Sequence, residues 1–380
     1  MHVTQKTVPK TGSLSEDIEI IALSKPDLLL MFASPEFFAV RKLPDLLREV
    51  LPNTALIGCS TAGGISAAGL VENACILTGI QFDATHLLQA STRLVDMADS
   101  FPAGVRLGQQ LAHPDLRAIL LYSPGVEING SALVDGVSRV VGPQVLITGG
   151  LAGDNDAFKR TFTLGLEGVW DDRVVAVGLA GTGLLLSHGS AGGWMPFGPA
   201  RKVTRCEHNT LFELDGEPAL DVYKRYLGEH ARRLPASGLL FPFAMQGQDQ
   251  TESGLIRTIL GVDEAAGSLT LAGDIDPQGY LRLMHASTER LVKGAEAAAD
   301  AALAVFPPVD ERLAILVSFV GRRLVMRARV NEEITAVVDL LGPETRVTGF
   351  YSYGEISPSH PGSACQLHNQ TMTITCLAEG

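Results

Sequence analysis

The sequence predicts an α/β protein of two related halves, each a mixed β-sheet with packed helices, joined around a pseudo-twofold axis. Three observations predict this. Short, nearly continuous apolar runs alternate with helical stretches, the pattern of strands covered on both faces. The length, 380 residues, exceeds one average domain and suits two. Two distant segments also share one pattern, T-x-φ-x-G-x-x-[ST]-x-G-x-I. One runs from Thr54 through Gly58 and Thr61 to Gly63 and Ile65. The other runs from Thr345 through Gly349 and Ser352 to Gly354 and Ile356.

Residues 1–24 read as a partly ordered tail, followed by halves at 25–212 and 213–380. Asp27–Ala33 is a buried strand. Ser34-Pro35-Glu36 then supplies a cap, a first-turn proline and an acid facing the helix dipole. Pro44 divides the next stretch into two short helices, and Thr54–Ile57 returns as a strand. Strands are expected at 74–80, 87–94, 117–122 and 144–148, and helices at 103–112 and 131–141. Residues 161–188 read as strands with turns at Glu167-Gly168 and Asp171-Asp172, and 189–198 as a glycine-rich loop. In the second half, a helix at 218–227 precedes short strands over 238–285. Ser287 caps an alanine-rich helix reaching about Val305. Strands at 313–319, 346–350 and 371–376 and a helix at 329–341 complete the chain.

Acidic residues number 42 and basic residues 30, a formal charge of −12. The basic runs are pairs only, Arg232-Arg233 and Arg322-Arg323, so the basic stripe that neutralises nucleic-acid phosphates is missing. The same charge opposes an anionic membrane surface. No apolar signal segment opens the sequence, and the uncharged stretch between Arg173 and His188, interrupted by Gly178, Gly181 and Gly183, falls short of the ~20 residues of a membrane span. Five cysteines without a CxxC speak against a disulfide framework, and the cytoplasm is the expected compartment.

The two glycine loops are the leading site. Each leaves a strand end and turns on glycine, a geometry in which successive N–H groups form an anion-binding concavity. The ligand-binding candidates are Gly58, Cys59, Ser60, Thr61 and Gly63 with Tyr351, Ser352, Tyr353, Glu355, His368 and Asn369. A second reading of the glycines is tight turns alone. Neither loop is a P-loop or a dinucleotide fingerprint, and Gly58-Cys-Ser-Thr-Ala62 lacks the second glycine of a nucleophile elbow. Cys365-Gln-Leu-His368 has half the ligands of a structural zinc site. His188 sits where an apolar strand meets the glycine-rich stretch holding Trp194, Met195 and Phe197. It is either a haem ligand in an apolar pocket or a loop histidine bonded to backbone, with His285 and His368 as rival ligands. These features predict a ligand-binding reporter rather than an enzyme.

Gly58-Cys-Ser-Thr-Ala-Gly-Gly-Ile65, Gly149-Gly-Leu-Ala-Gly-Asp154, Val317-Ser-Phe-Val-Gly-Arg322, Gly349-Phe-Tyr-Ser-Tyr-Gly-Glu-Ile356 and Leu367-His-Asn-Gln-Thr-Met-Thr373 together resemble the FIST family, over about residues 25–378. The resemblance implies a bacterial sensory module for small ligands such as amino acids. One stand-alone branch of the family implies haem b, nitric oxide as ligand, and a histidine kinase or cyclic-di-GMP enzyme as partner, with a homodimer as a further arrangement. Phe319 departs from the family pattern, which has a cysteine there.

Overall fold

A computed structural model describes residues 1–40, 42–360 and 362–380. The α/β class and the mixed sheets with packed helices are as expected, but the related units number three, not two. The first unit contributes strands His2–Pro9, Leu28–Ala33, Ala55–Ser60 and Ala74–Gln81. The second contributes His86–Arg93, Leu116–Ser123, Leu146–Leu151 and Arg173–Ala180. The third contributes Leu184–Ala191, Arg312–Phe319, Thr345–Ser352 and Met372–Glu379. In each unit the spatial order is first, fourth, second, third. The second and third strands run parallel, and the fourth inserts antiparallel beside the second.

Each unit also gives away a hairpin. The first unit's hairpin, Gly64–Ser66 with Gly69–Val71, pairs with the third unit's strand Thr345–Ser352. The second unit's, Thr163–Gly165 with Gly168–Trp170, pairs with Ala55–Ser60 of the first. The third unit's, Gly354–Pro358 with Cys365–His368, pairs with Leu146–Leu151 of the second. The exchange is cyclic, so the sheet of each unit has six strands, two of them from a neighbouring unit.

Helices follow from the parallel strand pairs, because parallel strands need a crossover. They are Pro35–Phe38 and Leu43–Val50 in the first unit, Gly130–Val141 in the second, and Val320–Met326 with Asn331–Leu341 in the third. Helices Leu14–Ala22, Ser100–Leu111 and Thr288–Leu303 link first strands to second strands. Ser287 caps the last of these as expected, accepting from the Arg290 N–H. The inner faces of the three sheets share one core, where the rings of Phe32, Tyr122 and Phe350 meet with centroids 4.8–5.7 Å apart.

The segment expected as a tail is an integral part of this plan. Strand His2–Pro9 pairs along its whole length with Ala74–Gln81, and Ile18 and Ile21 of the following helix are fully buried. The expected loop at 189–198 is mostly strand, ending Leu184–Ala191 and opening Met195–Glu207. The latter starts an inserted β-rich subdomain, residues 195–285, placed between the third unit's first strand and its helix. It has its own core around Leu211, Tyr223, Phe243, Leu269 and Leu281. Helix Val320–Met326 is not legible in the sequence, because the apolar run 313–320 passes into it unbroken.

Candidate functional site

The two glycine loops do meet, and the reason is the threefold plan. Gly58, Gly149 and Gly349 are equivalent. A Cβ on any of them would fall well inside 3.0 Å of the carbonyl oxygen of Met31, Leu121 or Leu316 on the adjacent strand. Beyond these glycines the three loops close a ring of backbone hydrogen bonds. Ala62 N–H donates to Tyr351 O at 2.8 Å, Gly153 N–H to Ser60 O at 2.8 Å, and Tyr353 N–H to Leu151 O at 3.1 Å.

That ring uses up the donors on which an anion cradle would depend. Ser60 N–H goes to Phe162 O, Thr61 N–H to Ala33 O, Gly63 N–H to Thr61 Oγ1, Tyr351 N–H to Gly63 O and Gly354 N–H to Ser352 Oγ. Gly58, Cys59, Ser60, Thr61 and Gly63 are buried. Burial pushes the Cys59 thiol well above its ordinary pKa, and Ser60 Oγ accepts the Phe162 N–H. These residues therefore hold the three units together, and the expectation of an anion nest at the loops is corrected.

The expected residues of the third unit are likewise engaged internally. Tyr351 donates to Glu333 Oε1 at 2.7 Å. Glu333 also receives the fully buried Arg322 at 2.7 Å, and Arg322 donates to Leu291 O at 2.8 Å and to Gly192 O. Tyr353 donates to Asp154 and stacks on Phe158, centroids 4.0 Å apart. Glu355 accepts the Thr371 N–H through one oxygen. Its other oxygen and both amide atoms of Asn369 have no protein partner in the buried interior. Burial raises the Glu355 pKa well above the carboxylate range.

His368 bonds Ser357 O at 2.9 Å, and burial pushes its pKa down to about 4. The sign follows from linkage: the unfolded chain titrates near 6.5, so this group's contribution is complete above pH 6.5 and is lost as pH falls from 6.5 to about 4. That difference amounts to about 3 kcal/mol at most. Urea melts of the native chain and His368→Gln across this window should show the gap between them closing toward low pH. A constant gap would contradict a neutral buried His368.

His188 and its expected apolar walls are separated. His188 lines a cavity with Arg117, Arg139 and Gln144. Trp194 is buried elsewhere, donating from Nε1 to Gln370 O at 2.8 Å. Phe197 lies against Tyr226 and His285. Met195 pairs across the inserted sheet with His285. Haem held by His188 between Trp194, Met195 and Phe197 does not fit this arrangement. Cys365, the other half of the notional metal pair, donates to Ile147 O. Among the described residues no group of three or more His, Cys, Asp or Glu side chains is placed to hold a metal. No helix among them is long and apolar enough to cross a membrane.

A cavity of about 920 Å³ opens beside the ring where all three units and the inserted subdomain converge. The first unit's hairpin brings Leu70 and Glu72, and the second unit brings Asp156 and Phe158. The third brings Arg323, Arg327 and Asn331, and the insertion brings Arg233, Leu239 and Leu260. Arg323 is fixed by Glu72 and by Ala62 O of the ring. Among the described residues Arg233, Arg327 and Asp156 have no ion-pair partner. Arg327 holds φ +51°, in the left-handed region. No sequence motif marks these residues. Both arginine pairs were visible, but only as an insufficient basic stripe.

Two family models match the chain: the FIST N domain over residues 27–217 and the FIST C domain over residues 219–358. The chain belongs to the FIST family. The two FIST segments do not coincide with the three units, since the third unit's strand Leu184–Ala191 lies in the first segment. An uncharacterised protein of Methanocaldococcus jannaschii is 26% identical over 206 residues, 51% of this chain and 39% of that relative. The match thus spans well under half of the relative. A crystal structure of a cyanuric acid hydrolase from A. caulinodans aligns with 99% of this chain and 98% of its own, at TM-score 0.36 and 9% identity. That likeness is too distant to carry an argument.

Proposed function

We propose that this FIST protein is a sensory signal-transduction module that binds a small zwitterion with an apolar side chain, an amino acid or a similar carboxylate, in the 920 Å³ cavity. The observation that carries the reading is the wall chemistry. Free guanidiniums of Arg233 and Arg327 suit a carboxylate, the free Asp156 suits an ammonium group, and Leu70, Leu239, Leu260 and Phe158 suit an apolar body. The wall is drawn from three units and an insertion, so a ligand that prefers one arrangement shifts their relative positions. A signalling partner such as a histidine kinase or a cyclic-di-GMP enzyme reads that shift. The role is binding rather than catalysis, supported by the sealed Cys59 and Ser60. Haem and nitric oxide rest on the family resemblance alone, and His188 lacks the apolar walls that reading requires.

Thermal melts with millimolar L-leucine, L-phenylalanine and phenylacetate test the proposal, since a ligand of the folded state raises the melting temperature. At least one should do so for the native chain. Arg327→Ala should weaken binding by about tenfold or more, the worth of a charge-assisted hydrogen bond, and Leu239→Trp should abolish it by filling the cavity. No shift with any of the three, or a shift unchanged in both variants, would refute it.

A further inference from the structure

The hairpin that the first unit gives to the third is held there by few contacts. Its inner strand Gly64–Ser66 pairs with Thr345–Ser352, and its outer strand Gly69–Val71 pairs in the sheet with the inner strand alone. Two polar contacts add to that pairing. The Leu70 N–H donates to Asn331 Oδ1 at 2.8 Å, and Glu72 pairs with Arg323. Arg323 reaches in two directions at once: Nη2 donates to Glu72 and Nη1 to Ala62 O. Ala62 belongs to the ring, where its N–H donates to Tyr351 O. Gly63 makes room for this arrangement. It holds φ +122°, and a Cβ there would lie 3.1 Å from Arg323 Nη1 and 2.8 Å from Leu70 Cδ1. Leu70, Glu72, Arg323 and Asn331 also wall the 920 Å³ cavity. The groups that hold the outer strand are therefore groups that a ligand in the cavity meets.

We infer that Arg323 is the relay that carries ligand occupancy to the junction of the first and third units. The inference rests on the zwitterion reading and adds the route by which that site is read out. A guanidinium presents five N–H donors in a rigid fork. On Arg323 the Nε–H and one N–H of each Nη have no acceptor among the described residues. A ligand carboxylate in the cavity is a further acceptor for that fork. The Glu72 pair holds the side chain only weakly, because Glu72 is 54% exposed and Arg323 22%, and pairs so open to water add little. The neighbouring Arg322 is the opposite case, locked on Glu333 with both side chains fully buried. A ligand that fixes Arg323 thus fixes a loosely held guanidinium, and with it Glu72 and Ala62 O. Arg323 acts here as a positioning residue: it passes a contact in the cavity on to the exchanged hairpin and the ring.

Amide hydrogen exchange of the full chain tests the relay, first without ligand and then with whichever of L-leucine, L-phenylalanine and phenylacetate raises the melting temperature. Without ligand, Glu72→Gln should speed exchange over 62–72 by about two- to fivefold, the worth of one exposed ion pair. Arg323→Met loses the bond to Ala62 O as well and should speed it by about tenfold or more. Unchanged exchange in helix Thr288–Leu303 reports that the fold is intact. With ligand saturating each protein, the native chain should slow 62–72, 156–158 and 233–240 together. Arg323→Met should keep the slowing at 156–158 and 233–240 and lose it at 62–72. Slowing at 62–72 that survives Arg323→Met would overturn the inference. So would ligand-free exchange there that neither variant changes, or loss of the slowing in all three segments, which would make Arg323 a ligand anchor and not a relay. If no ligand raises the melting temperature, or no segment of the native chain slows, the zwitterion reading fails and the relay with it, while faster ligand-free exchange in the two variants would still show Arg323 clamping the hairpin.

Discussion

Alanine at Gly58, Gly149 or Gly349 is expected to destabilise the protein by more than about 4 kcal/mol, at the far end of single-substitution effects. The Cβ in each case meets the neighbouring parallel strand's carbonyl oxygen, which is backbone and cannot rotate aside. Relief requires the two strands to part, and with them the ring joining the three units. Gly149 adds φ +138°, a conformation closed to alanine. Gly261→Ala is the control, since its nearest contacts are at ordinary distance and its φ is unremarkable. Thermal melts should place each ring variant roughly 10 °C or more below native, or find it insoluble, with Gly261→Ala near native. A small effect at all three glycines would mean that the close strand approach does not exist.

The second large effect is expected at the buried ion pair. Arg322→Met leaves the Glu333 carboxylate in the interior without its cation, and breaking such a pair costs about 3–5 kcal/mol. Arg322 also ties helix Thr288–Leu303, through Leu291 O, to the Gly192 turn. Arg322→Met combined with Glu333→Leu removes both charges and should recover part of the loss. It should not recover all, because Tyr351 and Ser318 lose their shared acceptor. A urea double-mutant cycle gives the answer. A double variant as unstable as the sum of the singles would contradict direct coupling.

Much of the fold was legible because local signals agree with the tertiary plan. The runs Leu28–Ala33 and Leu313–Phe319 are fully covered strands, Pro35 and Pro44 mark two short helices, and Ser287 caps the long alanine-rich one. The repeat was visible only twice because its third copy keeps little but Gly149. Val145 stands for the threonine, and Ala152 for the hydroxyl residue that is Thr61 or Ser352. What all three positions share is a backbone requirement, which tolerates changes at neighbouring residues. Strand exchange was hidden for a different reason: the hairpin Gly64–Val71 looks local in sequence, but its pairing partner is nearly 300 residues away.

The candidate site was legible in its residue types but not in its location. Glycine loops suggested a cradle, yet a loop's N–H groups are available only if no other strand claims them, and here each loop claims those of its neighbour. The cavity is walled instead by residues without a motif, brought together by units that meet only in the folded chain. The stretch 189–198, expected as a glycine-rich loop, is pinned by Gly193 against Arg290 O and by the buried Trp194.

Amide hydrogen exchange, with and without saturating ligand from the melt panel, tests the central claim most directly. Ligand should slow exchange together in four segments that are remote in sequence: 70–72, 156–158, 233–240 and 323–331. Slowing confined to other segments, or none in these four, would contradict the placement of the sensory site at the junction of the three units and the insertion.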